Sequence, residues 1–386
     1  MMQQGSHSYC CWAFCLSQLI NGTVSKQGIW SRVNNAFITL LKELVGCAIV
    51  QAAQRSYLPS IYASFARVWV EDSTCIGLPD YMGKIWKGNY SRGKDKSVVK
   101  VHVIMNVLNG FFTHCSLEPF TVTEQALSRQ IVSIARTGDL IIRDLGYFVL
   151  EVFEQLSNNA IYFLSRKRYG IKLFDVCTGN PVTISQLAKG KNYIDCHVYI
   201  GAGQQCEVRL IAVLLSEKQK QARIRKAKKD RDKRMNHSKQ YYRELGYAIF
   251  ITNVENDIWT VEQAVKAYRV RWNIEILFKC WKSRFNIKRM IPHNSSRVQT
   301  VEAVIYLMLL FIAWFQFLFH EMVLPFAKNK MVSIIKASQY IINNIELVIQ
   351  FYVDNKSRDK LLYCCQYEKR RQRPCATTIS KVLFSS

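Results

Sequence analysis

Glu275 lies in the stretch Val261–Arg284 with Tyr268, Arg271 and Lys282 at helical spacing. At roughly 100° per residue the four fall within a wedge of about 60°, so on a single helix one carboxylate shares a polar stripe with two cations and a phenol. Ile274, Ile276, Leu277, Phe278 and Trp281 give the other side enough apolar surface to hold the helix on a core. A solvated face with ordinary ion pairs has the same look, so the weight falls on acids elsewhere in the chain. Asp72 comes near the end of the run Ala66–Thr74, and Asp144 follows the short apolar run Leu140–Arg143. The carboxyl end of a buried strand is where open α/β sheets place their sites. Brought together, Asp72, Asp144 and Glu275 would offer hard oxygen ligands to two divalent ions about 3.5 to 4 Å apart, Mg2+ or Mn2+. One ion would activate water or a 3′-hydroxyl, and the other would stabilise the leaving oxygen of an in-line displacement at phosphorus. No protein nucleophile is required, which leaves histidines such as His102 and His114 to structural roles.

Two strands and a helix must carry these acids. Residues 1–62 read as helical, with Trp12–Leu19 and Ile29–Val50 separated by an Asn21-Gly22 turn and Ser25 as an N-cap. The second helix bears Lys26, Gln27, Arg32 and Asn34, which suits a major groove and equally a plain helical hairpin. Strands are expected at 66–74, Val98–Val107 and Phe111–Leu117, the last two joined by Asn109-Gly110. Three strands in meander, the first tipped by Asp72, open a sheet. Thr123–Arg136 and Tyr147–Leu156 read as helices on either side of the Asp144 strand. Glu71, Asp80, Asp139, Asp175 and Asp195 lack the strand-end setting and read as solvated or capping residues.

The 130 residues between Asp144 and Glu275 exceed what one crossover needs. Strand patterns at Ala160–Leu164, Gly170–Val176, Asp195–Ile200 and Val208–Leu215 make this a mostly β insertion. Arg166, within Arg166-Lys167-Arg168, is placed to clamp a nucleic-acid backbone or is part of a solvated basic turn. Glu217–Glu244 then holds 12 Lys plus Arg against four acids, a solvated helix or arm that would add salt-sensitive phosphate affinity. Tyr247–Thr252 returns the chain to the sheet.

The spacing Tyr268-x2-Arg271-x3-Glu275-x6-Lys282, with Trp272 inside it, resembles the Tyr-Arg-Glu-Lys signature of a large branch of bacterial insertion-sequence transposases of the DDE class. Asp72-Ser-Thr and Asp144-x-Gly-Tyr-Phe resemble that family's first and second catalytic blocks. The resemblance implies an α/β fold with a ribonuclease-H-like catalytic core interrupted by a mostly β insertion, between helical N- and C-terminal flanks. It implies that Asp72, Asp144 and Glu275 are the metal-binding carboxylates, and that Tyr268, Arg271 and Lys282 hold DNA phosphates at the transposon end. Trp272 would stack on a flipped base, a contact of about 1–3 kcal/mol, or else serve as a core aromatic. Synapsis of two ends implies a homodimer on double-stranded DNA, and cut-and-paste transposition through hairpin ends is the implied pathway. A nuclease that only hydrolyses and a catalytically dead DNA-binding remnant are the rivals.

Composition agrees with a nucleic-acid partner. The 386 residues carry 53 Lys plus Arg against 28 Asp plus Glu, a net charge of +25 in a chain that is 49% hydrophobic. The expected divisions are 1–62, a helical DNA-binding region; 63–156 and 256–300, the two parts of the catalytic core; 157–255, the β-rich insertion with its basic helix; and 301–386, a helical C-terminal region. The 13 cysteines include no CxxC pair and read as reduced cytosolic thiols, which argues against a structural zinc site. Met1–His7 lacks the basic region of an export signal. Ala303–Phe319, 17 residues, is at the short edge of what spans a bilayer, but Glu302, Gln316 and His320 mark it more as a helix buried in a soluble core than as a membrane span. The expected location is therefore the bacterial cytoplasm, at the nucleoid, with no membrane partner.

Overall fold

The computed structural model describes residues 8–52, 60–91, 93–107, 110–189, 191–203, 206–229, 237–327, 332–345, 350–351 and 354–366. Helices α1 (Tyr9–Leu19), α2 (Lys26–Arg32) and α3 (Asn35–Ala52) open the chain. Strands β1 (Val68–Leu78), β2 (Lys87–Ser91), β3 (Lys94–Asn106) and β4 (Phe112–Pro119) follow. Short helices α4 (Glu124–Leu127) and α5 (Gln130–Ile134) precede β5 (Leu140–Arg143), α6 (Leu150–Asn158) and β6 (Tyr162–Arg166). Next come β7 (Leu173–Asp175), β8 (Pro181–Val182), α7 (Ile184–Leu187), β9 (Tyr193–Ile200) and β10 (Cys206–Leu214). Helices α8 (Glu217–Lys228) and α9 (Lys239–Glu244) lead into β11 (Tyr247–Thr252). The rest is helical, with α10 (Val261–Tyr268), α11 (Trp272–Ser283), α12 (Ile287–Met290), α13 (Val298–Leu318), α14 (Ile334–Asn343) and a last helix, Asn355–Cys365. The fold is thus mixed α/β, and its strands divide between two compact units.

One unit comprises Met1–Leu58, Glu71–Thr123 and Trp272–Ser386. Here β3 lies between β2 and β1 and also pairs antiparallel with β4, with Val101 opposite Leu117. Strand β1 runs on past the expected end of its apolar run, because Thr74, Ile76 and Leu78 keep every second side chain buried. Asp72 is therefore inside a strand rather than at its tip. Ser25 caps α2 by accepting a hydrogen bond from the Gly28 amide, as its position implied. The expected single helix from Ile29 to Val50 is two helices, since Val33 leaves the helical region and turns a buried side chain into the cluster of Ala13, Ile29, Ile38, Leu41 and Ala303. Asn109, half of the expected hairpin turn, lies outside the described residues.

Helix α13 buries Val301, Val304, Ile305, Met308, Ile312 and Phe315 and packs against α3. Val298–Glu321, 24 residues with mean hydropathy 2.1, is long and apolar enough to cross a membrane by length and composition, and 56% of its most apolar window is buried inside the protein. A π-helical turn, Phe319–Val323, ends it and brings His320 against Phe111 and Gly110. Gly110 has φ 68°, and a Cβ there would collide with the His320 imidazole. Burial pushes the His320 pKa from 6.5 down to about 4, so the ring is neutral in the fold and takes up a proton on unfolding. The unfolded chain then binds more protons between those values, and the stability this group contributes is present above pH 6.5 and is lost as pH falls toward 4. Urea-unfolding midpoints taken across that window should fall with pH in the wild type and fall less in His320→Gln; parallel curves would contradict the assignment.

The other unit comprises Pro59–Val70 and Glu124–Arg271. Strands β5 and β6 are parallel, with Arg143 opposite Ser165. From β6 the order continues through β11, β10, β9, β7 and β8, each pair antiparallel. All four residues of β5 are buried, as a central parallel strand requires. Helix α6 covers β6 and β10 with Val152, Phe153 and Leu156.

Of the acids read as solvated or capping, Asp139 and Glu71 are buried, and Asp195 is exposed but ion-paired. Asp139 is fully buried and receives both the Arg67 guanidinium, at 2.8 and 2.6 Å, and the Arg136 amide. Asp195 lies in β9 and binds Arg209. Glu71, in the first unit, is fully buried and 3.2 Å from His102 Nε2. Each carboxylate has a basic side chain as partner, and the Arg67 fork offsets the desolvation of the buried Asp139, a pairing that spacing along the chain does not reveal.

Candidate active site

The stretch from Val261 to Arg284 is not one helix. Helix α10 starts at a capping box of Thr260 and Gln263 and ends at Tyr268; residues Arg269–Arg271 form a 3-10 turn before α11 begins at Trp272. Tyr268, Val270 and Arg271 are all buried, while Arg269 between them is exposed. In the tighter turn residues three apart eclipse, which puts Tyr268 and Arg271 on one face.

In the second unit the structure brings together Asp144, Arg166, Tyr268 and Arg271. Asp144 is the first residue past β5, and the parallel register sets it beside Arg166 at the end of β6. It occupies the N-cap position of the turn Leu145–Tyr147 but makes no side-chain cap bond, so its carboxylate is not spent on the backbone. Arg271 Nε lies 3.8 Å from Asp144 Oδ1, with side-chain exposures of 7% and 41%. Tyr268 packs on Phe250 at 5.0 Å, and the Arg166 and Arg271 guanidiniums sit 5.4 and 5.8 Å from its ring centre. Burial pushes the Tyr268 hydroxyl up to about 12 despite the two cations. Of the Arg166-Lys167-Arg168 triplet, Lys167 is buried against Glu244 at 3.2 Å, leaving Arg166 half-buried and Arg168 exposed.

The first unit holds the remaining candidates. Asp72 is half-buried on β1 and accepts the Ser73 amide at 2.8 Å. Glu275 is half-buried in the first turn of α11, whose opposite side buries Ile274, Leu277, Phe278 and Trp281; Trp281 meets Phe112 edge-on at 5.5 Å. Trp272 is 46% exposed and Lys282 exposed. Among the described residues no three His, Cys, Asp or Glu side chains are gathered at metal-binding range. By donor chemistry, Asp72, Asp144 and Glu275 suit Mg2+ or Mn2+, since all three offer hard oxygens and none offers a soft ligand.

Sequence reasoning passed over Arg209 and Arg143. Arg209 is 2% exposed, grips Asp195 with two bonds of 2.7 and 2.8 Å, and donates to the carbonyls of Val254 and Trp259. It thereby fixes the loop that launches α10. Arg143, fully buried at the end of β5, donates to the Ser128 carbonyl at 2.9 Å. A basic residue inside an apolar run was the available signal in both.

The chain is 26% identical over 281 residues to a transposase for insertion sequence element IS231F of Bacillus thuringiensis subsp. israelensis, an alignment covering 67% of this chain and 59% of the relative. It is 24% identical over 277 residues to a transposase for insertion sequence element IS1151 of Clostridium perfringens, covering 65% and 58%. The matched part is therefore less than two thirds of those relatives' own length. Among solved structures, a piggyBac transposase synaptic complex with hairpin DNA is similar at a TM-score of 0.43 and 10% identity, over 93% of this chain and 69% of that one. Residues 63–314, a stretch that includes Asp72, Asp144 and Glu275 and is well over half of the 386 residues, match the family described as Transposase DDE domain, and the chain belongs to that family.

Proposed function

We propose that this protein is a DNA transposase that cuts and joins the ends of its own insertion sequence, with Asp72, Asp144 and Glu275 as its catalytic and metal-binding residues. The observation that carries the reading is the Asp144 carboxylate, left unspent at the carboxyl end of a buried parallel strand with Arg271 at its side. A ribonuclease-H-like core is supported by β3 beside β1 in one unit and parallel β5 and β6 in the other. The three carboxylates would hold two Mg2+ or Mn2+ ions, which would supply Lewis-acid activation of the attacking and leaving oxygens.

The chain's own groups do the rest. Arg271 orients Asp144 and offsets its charge when DNA phosphates approach. Both guanidiniums lie over the Tyr268 ring, and the half-buried Arg166 would offer its fork to a phosphate oxygen. Lys282 would contact the DNA backbone as an exposed cation, and the exposed face of Trp272 would stack on an unpaired base. Two copies would act as a homodimer on paired transposon ends through hairpin intermediates, at the nucleoid of the bacterial cytoplasm.

The test is to incubate the protein with Mg2+ and DNA bearing the inverted repeats that flank its reading frame. Joined product is expected. Cleavage without joining would replace this reading with a hydrolytic nuclease, and binding without cleavage would replace it with a DNA-binding remnant.

A further inference from the structure

Helix α8 stands out among the elements that the proposed site leaves unused. A capping box formed by Ser216 and Gln219 fixes its start, which allows a helix in a sequence whose cations repel one another. Lys220, Arg223, Ile224 and Ala227 are half-buried, while Lys218, Arg225, Lys226, Lys228 and Lys229 are exposed. Lys220 pairs with Glu217 at 3.3 Å, but none of the five exposed cations has an ion-pair partner among the described residues. Arg225 lies one turn from both Lys228 and Lys229, so the free helix carries like-charge repulsion that a polyanion would relieve.

The inner side of the helix points the same way. Arg223 is half-buried and donates to the Tyr247 carbonyl at 2.7 Å, at the start of β11. Further along β11, Phe250 pairs with Arg166. Burial, together with the Arg166 guanidinium, holds the Arg223 pKa below its usual value. Arg223, tied to the start of β11, and Arg166, opposite Phe250 on the same strand, have no carboxylate at ion-pair range among the described residues and together favour an anion.

We propose that α8 binds the sugar-phosphate backbone of duplex DNA, with Arg223 and Arg166 seating one phosphate and the outer face, Lys218, Arg225, Lys226, Lys228 and Lys229, engaging phosphates further along. The identity of the polyanion as DNA rests on the transposase reading; the polyanion site itself does not. At 12 residues the helix is about 18 Å long, over which a duplex presents roughly ten phosphates, enough to occupy the whole face. A membrane surface is disfavoured because Ala222, Ile224 and Ala227 are the only apolar residues of α8, and an interfacial helix needs a broad apolar face.

The test measures binding without divalent ion, so that failure of cleavage has no bearing on it. Anisotropy titrations of a duplex of about 30 base pairs, repeated from about 0.05 to 0.3 M salt, give the slope of log affinity against log salt. Removing two cations, Arg225→Gln with Lys229→Gln, should make the slope shallower by about 1.8 and weaken binding roughly tenfold. Arg223→Gln keeps an N–H donor for the Tyr247 carbonyl but loses the charge, and should remove about 0.9 of slope. The control, Lys356→Gln with Lys360→Gln, removes equal charge from two exposed positions on the last helix and should leave the slope unchanged. Circular dichroism checks that each variant folds. Equal shifts in the two double variants, no shift in either, or α8-dependent binding to anionic vesicles rather than to the duplex would overturn the proposal.

Discussion

Asp144→Asn and Glu275→Gln are each expected to lower DNA cleavage roughly a thousandfold or more while leaving duplex affinity equal to wild type or slightly higher. The two effects separate because a carboxylate near DNA repels phosphates in the ground state and helps only when it ligates a metal ion. Neutralising it removes both contributions without disturbing packing, since both side chains are partly exposed and neither anchors the core. Arg271→Lys should behave differently. It keeps the charge beside Asp144 but loses the planar fork, so a loss of about 10- to 100-fold is expected, recovered in part at raised Mg2+. Measuring single-turnover cleavage at saturating DNA distinguishes these outcomes, and an Asp144→Asn enzyme with near-normal turnover would remove Asp144 from the catalytic set.

Arg209→Leu is expected to destabilise the unit built on β5 to β11 by about 3–5 kcal/mol, toward the low end because the Asp195 side chain is 23% exposed. The loss is large because one guanidinium satisfies two carboxylate oxygens and two loop carbonyls. Leucine fills most of the volume but leaves those acceptors without donors. The loop from Val254 to Trp259 would then lose its anchor, and with it the start of α10, which carries Tyr268 toward Arg271 and Asp144. Urea unfolding should therefore show a lower midpoint, accompanied by weakened cleavage even at temperatures where the variant remains folded. A change below about 1 kcal/mol would mean that water replaces the guanidinium at this site.

Local patterns were legible in the chain wherever one short-range effect dominated. The buried run of β5, the Ser25 cap and the apolar side of α11 each follow from side-chain chemistry over a few residues. Family membership was equally a sequence property, because residues 63–314 match the Transposase DDE domain without knowledge of how any segment bends. What spacing could not show was where the stretch from Val261 to Arg284 bends. Residues Arg269–Arg271 form a 3-10 turn, and the partner beside Arg271, Asp144, is more than a hundred residues away in the chain. Glu71 with His102, Asp139 with Arg67 and Asp195 with Arg209 are likewise pairs made by folding, at smaller separations in the chain. A charged side chain reads as solvated until its counter-charge is located, and the counter-charge is chosen by strand pairing and loop closure. Sequence alone determined which residues could do chemistry; the tertiary structure decided which charges are buried against one another, because desolvation is set by neighbours in space.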